Sequence, residues 1–288
     1  MKPNMRCNAK IAMKLLQSLL PVRARAIFAI SVGATAHGRV VPLQRSRRGG
    51  GSAIVGRIGV MTILGLASAL ALTFTVREFT CPIDGHVFSQ SVSATGTSYG
   101  SRLDNKPLGQ IVAPWVLPQC PKCRFVLAWK SNDTAVVTKL RPFVLSFAYQ
   151  NMASNGPTYE CLARLRQTLD APPLEIADAY LQASWQVEAS PARCQTFLQA
   201  ALTNQLAGIK TFAGADSDRV CLERLCGELE RRLGRFDEAR ARLLKLRMTT
   251  TDGEVLAILD RQLRFIDQQD SAPHASTEKL ERLVSRRR

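Results

Sequence analysis

"LERLCGELERRLGRFDEARARLLKL", Leu222 to Leu246, decides what kind of fold this chain can have. Leu222, Leu225, Leu229 and Leu233 recur at steps of three and four, the spacing that lines one face of an α-helix. Gly234 interrupts the stripe, and Phe236, Ala239, Leu243 and Leu246 resume it on a second helix. Asp237 and Glu238 stand in that helix's first turn, where negative charge suits the helix dipole. The pattern predicts a helical hairpin turning at Gly234. Gly227, twelve residues before Ala239, is small where two such helices must approach closely, so Ala239 is expected to pack near it.

The Gly-x-aromatic-Asp-Glu-Ala turn and the small residue in the first helix resemble a tetratricopeptide repeat. Glu223 and Glu230 depart from that pattern, which favours aromatics there, and no proline closes the unit. "EVLAILDRQLRFID", Glu254 to Asp267, supplies a third amphipathic helix to cap the pair. Upstream, Pro142 is expected to start a helix that ends near Asn155-Gly156-Pro157, and another runs from Thr158 to Leu169. Pro172-Pro173 opens "LEIADAYLQASWQVE", with Ile176, Ala177, Tyr180 and Ala183/Ser184 on one stripe. Ser190-Pro191 opens the next helix. Residues 139–268 therefore read as tetratricopeptide-like helical hairpins, and 271–288 as a polar, flexible tail.

Residues 78–130 look different. Gly96, Gly100, Pro107, Gly109, Pro114 and Pro118 break the sequence into short strands and loops, with "HVFSQSVSATG" and "RFVLAW" as strand candidates. Such a segment buries little core by itself and needs a metal or a neighbour. "PQCPKCRFVLAW" (118–129) carries Cys120-Pro121-Lys122-Cys123, and "EFTCPIDGHVFSQ" (78–90) carries Cys81-Pro82-Ile83-Asp84-Gly85. The two frames resemble the paired knuckles of a zinc ribbon, in which each turn presents two ligands to a tetrahedral ion. Asp84 replaces a thiolate and Arg124 replaces the usual glycine. His86 lies two residues beyond Asp84 and is a good zinc ligand. The expected site is a structural zinc held by Cys81, His86, Cys120 and Cys123, with Asp84 as the alternative fourth ligand. A ribbon without metal, and a disulfide among these cysteines, are the other readings. Cys161, Cys194, Cys221 and Cys226 fall in helical sequence, where cysteine serves as a small apolar residue.

The chain carries a formal +16, but residues 1–77 hold twelve Lys or Arg and no Asp or Glu. The remainder is close to neutral, which argues against a nucleic-acid partner. Residues 1–57 read as a basic extension of low order. Residues 58–76, uncharged after Arg57 and carrying Ala67-Ser68-Ala69 and Ala69-Leu70-Ala71, read as a signal peptide cut between Ala69 and Thr75, or as a membrane anchor. The expected location is outside the cytoplasm, periplasmic or extracellular, with membrane attachment through 58–76 as the alternative.

Together, "CPIDGHVF", "GTSYGSRLDNKPLG", "APWVLPQCPKCRFVLAW" and "GELERRLGRFDEARARL" resemble a family of uncharacterised bacterial proteins with a ribbon-like N-terminal part and tetratricopeptide-like helices. The resemblance implies an architecture and no catalytic residues. The fold class is thus α+β, mainly α, with a small zinc-ribbon-like β part followed by helical hairpins. The expected function is that of a protein-interaction or scaffold protein, its helical repeat surface binding another protein. A thiol–disulfide oxidoreductase using Cys120 and Cys123 is the alternative.

Overall fold

The structure, a computed structural model, describes residues 72–128 and 133–286. The basic extension and the apolar run as far as Ala71 lie outside the described residues. Strands β1 (Thr73–Thr80) and β2 (Val87–Thr95) pair antiparallel around the first knuckle, Phe79 facing Phe88. Residues 73–76, which the sequence assigns to the apolar segment, therefore belong to β1. Strands β3 (Thr97–Ser101) and β4 (Pro107–Gln110) form a second antiparallel hairpin. "RFVLAW" contributes only an isolated bridge, Gln119 with Val126, among the described residues.

Nine helices follow among the described residues: α1 (Thr134–Val144), α2 (Phe147–Asn155), α3 (Thr158–Thr168), α4 (Pro173–Gln186), α5 (Pro191–Lys210), α6 (Asp216–Arg232), α7 (Phe236–Thr249), α8 (Gly253–Asp267) and α9 (Glu278–Ser285). Helices α3 to α8 pack each against the next in chain order. Pro142 does not start a helix. Asp133 caps α1 well ahead of it, accepting from Ala135 N–H at 2.9 Å, and Pro142 sits in the last turn. There the proline ring comes late enough to leave most of the helix intact. Ser146 then caps a fresh helix, α2, by accepting from Tyr149 N–H at 3.2 Å.

The stripe predicted in α4 is buried, with Ile176, Ala177, Tyr180, Ala183 and Ser184 all facing inward. Cys161, Cys194 and Cys226 are buried thiols on helices, as small apolar residues are, and Cys221 is buried on α6. The main core runs from Cys81, Ile83, Phe125 and Val126 through α1 to α6, and a second core joins α7 and α8. The β part and the first helices thus share one interior.

The hairpin of α6 and α7 turns at Gly234, whose φ of +74° lies in the left-handed region that glycine enters without cost from a Cβ. The side chain over Gly227 is that of Leu243, one turn beyond Ala239, which is itself fully buried. Glu223 and Glu230, the departures from the repeat pattern, both pair with Arg242 across the hairpin, Glu230 at 2.8 Å. An ion pair takes the place of aromatic packing there.

The loop between β3 and β4 is inserted among the helices. Asp104 is 1 % exposed and accepts from Arg102 at 2.9 and 2.5 Å and from Arg232, at the end of α6, at 2.8 Å. Burial pushes the carboxyl's pKa up, but Arg102 and then Arg232 outweigh it and hold the group at about 2. Arg224 donates to the Leu103 carbonyl at 2.9 Å and to Asn105 Oδ1 at 2.7 Å. The segment expected as a polar tail docks on the same loop. Leu103 N–H donates to His274 O and Ser276 N–H to Ser101 O, both at 2.9 Å, and α9 lays Leu280 against Gly100.

A Cβ at Gly227 would lie 2.4 Å from Leu243 Cδ2, and Leu243 is fully buried with little room to yield. Gly227→Val should therefore cost about 2 kcal/mol and lower Tm by roughly 4–8 °C, and an unchanged thermal midpoint would refute the packing. For Asp104, a folded pKa of about 2 against an ordinary 3.8 means its stabilisation is present above the ordinary value and lost as pH falls towards 2. Urea titrations of Asp104→Asn should show a deficit at neutral pH that narrows on acidification towards the folded pKa. A deficit independent of pH would mean that the charge is not what matters.

Candidate metal centre

Each knuckle is a short turn built by the same two backbone hydrogen bonds. In the first, Gly85 N–H donates to Cys81 O and Cys81 N–H to His86 O, both at 2.9 Å. In the second, Arg124 N–H donates to Cys120 O and Cys120 N–H to Phe125 O, both at 2.9 Å. Gly85 and Arg124 occupy equivalent places with φ of +71° and +59°. Glycine adopts this conformation freely, and Arg124 does so against the preference of its side chain. The equivalence carries Asp84 to the place that Cys123 holds in the second turn.

The structure brings together Cys81, Asp84, Cys120 and Cys123, one ligand atom of each lying within 4.8 Å of the others. Cys81 Sγ and Cys123 Sγ are 3.4 Å apart, and Cys120 Sγ lies 3.7 and 3.8 Å from the two Asp84 oxygens. The three cysteines are buried and Asp84 is partly exposed. These four side chains can hold a metal ion. His86, favoured as the fourth ligand on its chemistry, is not in the group. Its backbone N–H donates to Asp84 Oδ1 at 3.0 Å, and its ring stacks on Phe88 with centroids 6.3 Å apart. The residue two beyond Asp84 already leads into the outgoing strand, so its side chain leaves the ligand cluster.

Burial pushes the Cys81 thiol up to about 11 and the Cys123 thiol well above the usual range, so both carry protons at neutral pH until a cation displaces them. Burial acts upward on Asp84 too, but the His86 N–H and the neighbouring thiols hold its carboxyl below the ordinary value.

Residues outside the motif hold the second knuckle, and no local pattern announces them. Tyr149 donates its hydroxyl to Arg124 O at 3.0 Å, and Gln150 donates to Cys123 O at 2.8 Å, both from α2. Gln90 of β2 ties the segment before the second knuckle, donating to Leu117 O at 3.2 Å and accepting from Gln119 N–H at 2.9 Å. No family model, curated protein or solved structure matches this chain.

Asp84→Ala should weaken metal retention, while His86→Ala, which keeps the backbone donor to Asp84, should leave it near wild type. A metal-competition titration with a chromogenic chelator reads both. Loss of retention in His86→Ala alone would return the fourth position to the histidine.

Proposed function

We propose that this chain is an exported, non-catalytic interaction protein whose β part is closed around one structural zinc ion. The observation that carries the reading is the compact set of three thiols and one carboxylate. Zinc bonds of about 2.3 Å to sulfur and about 2.0–2.2 Å to oxygen, arranged tetrahedrally, would put neighbouring ligand atoms roughly 3.5–3.8 Å apart. The separations of 3.4, 3.7 and 3.8 Å are close to that spacing. Four protein ligands leave no open position for water, which favours a structural role over a catalytic one. Zinc binding would then add to the stability that the β part gains from sharing a core with the helices.

Helical hairpins packed in chain order support the interaction part, since such arrays build surfaces that other proteins bind. Phe147, 86 % exposed at the start of α2, gives a protein partner an apolar contact. The oxidoreductase alternative has less support. Cys120 and Cys123 are buried, and burial moves the Cys123 thiol in the direction opposite to that of a redox nucleophile. No helix among the described residues is long and apolar enough to cross a membrane. Export rests on the uncharged run that precedes β1. Because Thr73 already pairs with Thr95, signal removal compatible with this strand would fall before Thr73.

Elemental analysis of the purified chain should find one zinc per molecule, and its absence would sink the zinc reading. Chelation should speed hydrogen exchange in residues 79–126 and in α2, which Tyr149 and Gln150 tie to the second knuckle. Exchange unchanged in both would argue against a structural ion. Mass spectrometry of the mature protein should place its N-terminus between residues 70 and 73, and an intact chain beginning at Met1 and recovered from the cytosol would overturn export.

A further inference from the structure

We propose that Cys81 and Cys123 form a redox clasp, joining as a disulfide when the metal ion is lost. The clasp rests on the zinc reading and assigns a regulation to the same site. In the sequence, Cys120 and Cys123 are the obvious pair, because they share one knuckle. The fold selects a different pair. Cys81 Sγ lies 3.4 Å from Cys123 Sγ, while Cys120 Sγ, also a neighbour of Cys123, lies 3.7 and 3.8 Å from the Asp84 oxygens. A disulfide needs an S–S length of about 2.05 Å, so a small approach of the two turns completes it.

The two sulfurs belong to different knuckles, 42 residues apart in sequence. Their bond would join the same two turns that the ion joins. With the ion bound, both sulfurs are ligands and are withheld from oxidation. Without it, they are adjacent buried thiols in a cluster whose Asp84 is partly exposed.

The oxidant is a small disulfide of the glutathione class. One of the two thiols first gives up its proton; the thiolate so formed attacks a sulfur of that disulfide, forming a mixed disulfide and expelling one small thiolate. The second cysteine then attacks the protein sulfur of the mixed disulfide and expels the second. The two thiol protons pass to the expelled thiolates. The protein pair loses two electrons, the small disulfide gains them, and the products are one protein disulfide and two small thiols.

Trypsin can read the pairing directly. Cleavage after Arg77, Arg102, Lys122 and Arg124 places Cys81 in peptide 78–102, Cys120 in 103–122 and Cys123 in 123–124, because Lys106 precedes proline and is spared. The full chain is treated with oxidised glutathione, with and without chelator, then acid-quenched, alkylated and digested. Chelated protein should give 78–102 joined to 123–124, with Cys120 alkylated, and added zinc should suppress the product. Cys120→Ser should keep the cross-link. Joining of 103–122 to 123–124, or no cross-link after chelation, overturns the clasp. If the purified chain holds no zinc and forms the Cys81–Cys123 bond with or without added zinc, the pairing stands, but its control by metal and the zinc reading both fall.

Discussion

A carboxylate taken out of water must be paired, and Asp104 is a buried carboxylate whose pairing joins distant parts of this chain. Its partners come from two directions. Arg102 belongs to its own loop, and Arg232 closes helix α6. Arg102 and Lys106 also share Glu188, just past α4, at 2.5 and 2.8 Å. The β3–β4 loop can therefore seat only where these charges converge. Once seated, it offers the Leu103 carbonyl to Arg224 and its backbone edge to residues 274–276. One buried charge thus seats the β3–β4 loop at the end of α6, and the seated loop offers its edge to the C-terminal segment.

The knuckles meet a different constraint. Each turn forms from local backbone bonds, but two turns must face each other before four ligands converge. Gln90 ties the approach to the second turn, and α2 holds that turn through Tyr149 and Gln150. Cys81, Cys120 and Cys123 also belong to the core that continues into the helices. The cluster is therefore one end of the main interior, with α2 hydrogen-bonded to its second knuckle.

Much of the helical part was legible because its signals are local. The stripe of Leu222, Leu225 and Leu229 and the glycine at 234 act within one or two turns. Glu223 and Glu230 read as departures because Arg242, their partner, is distant in sequence and close only across the hairpin. Residues 271–286 read as a tail because their composition is polar. Their order comes from Arg261 donating to Ala275 O at 3.0 Å, from Arg231 donating to Ala272 O at 2.8 Å and from the bridge between Arg102 and Ala275.

By itself, the sequence determined the mainly helical class, the turn at Gly234 and the two knuckle frames at Cys81 and Cys120. These follow from periodicity and from backbone angles that only certain residues accept easily. Tertiary structure decided that Asp84 and not His86 joins the three cysteines, that Cys81 lies beside Cys123 while Cys120 faces Asp84, and that Asp104 is buried. Those outcomes depend on which side chains are brought together from distant parts of the chain. Sequence spacing specifies each turn, but the distances between turns are set by the packing that surrounds them.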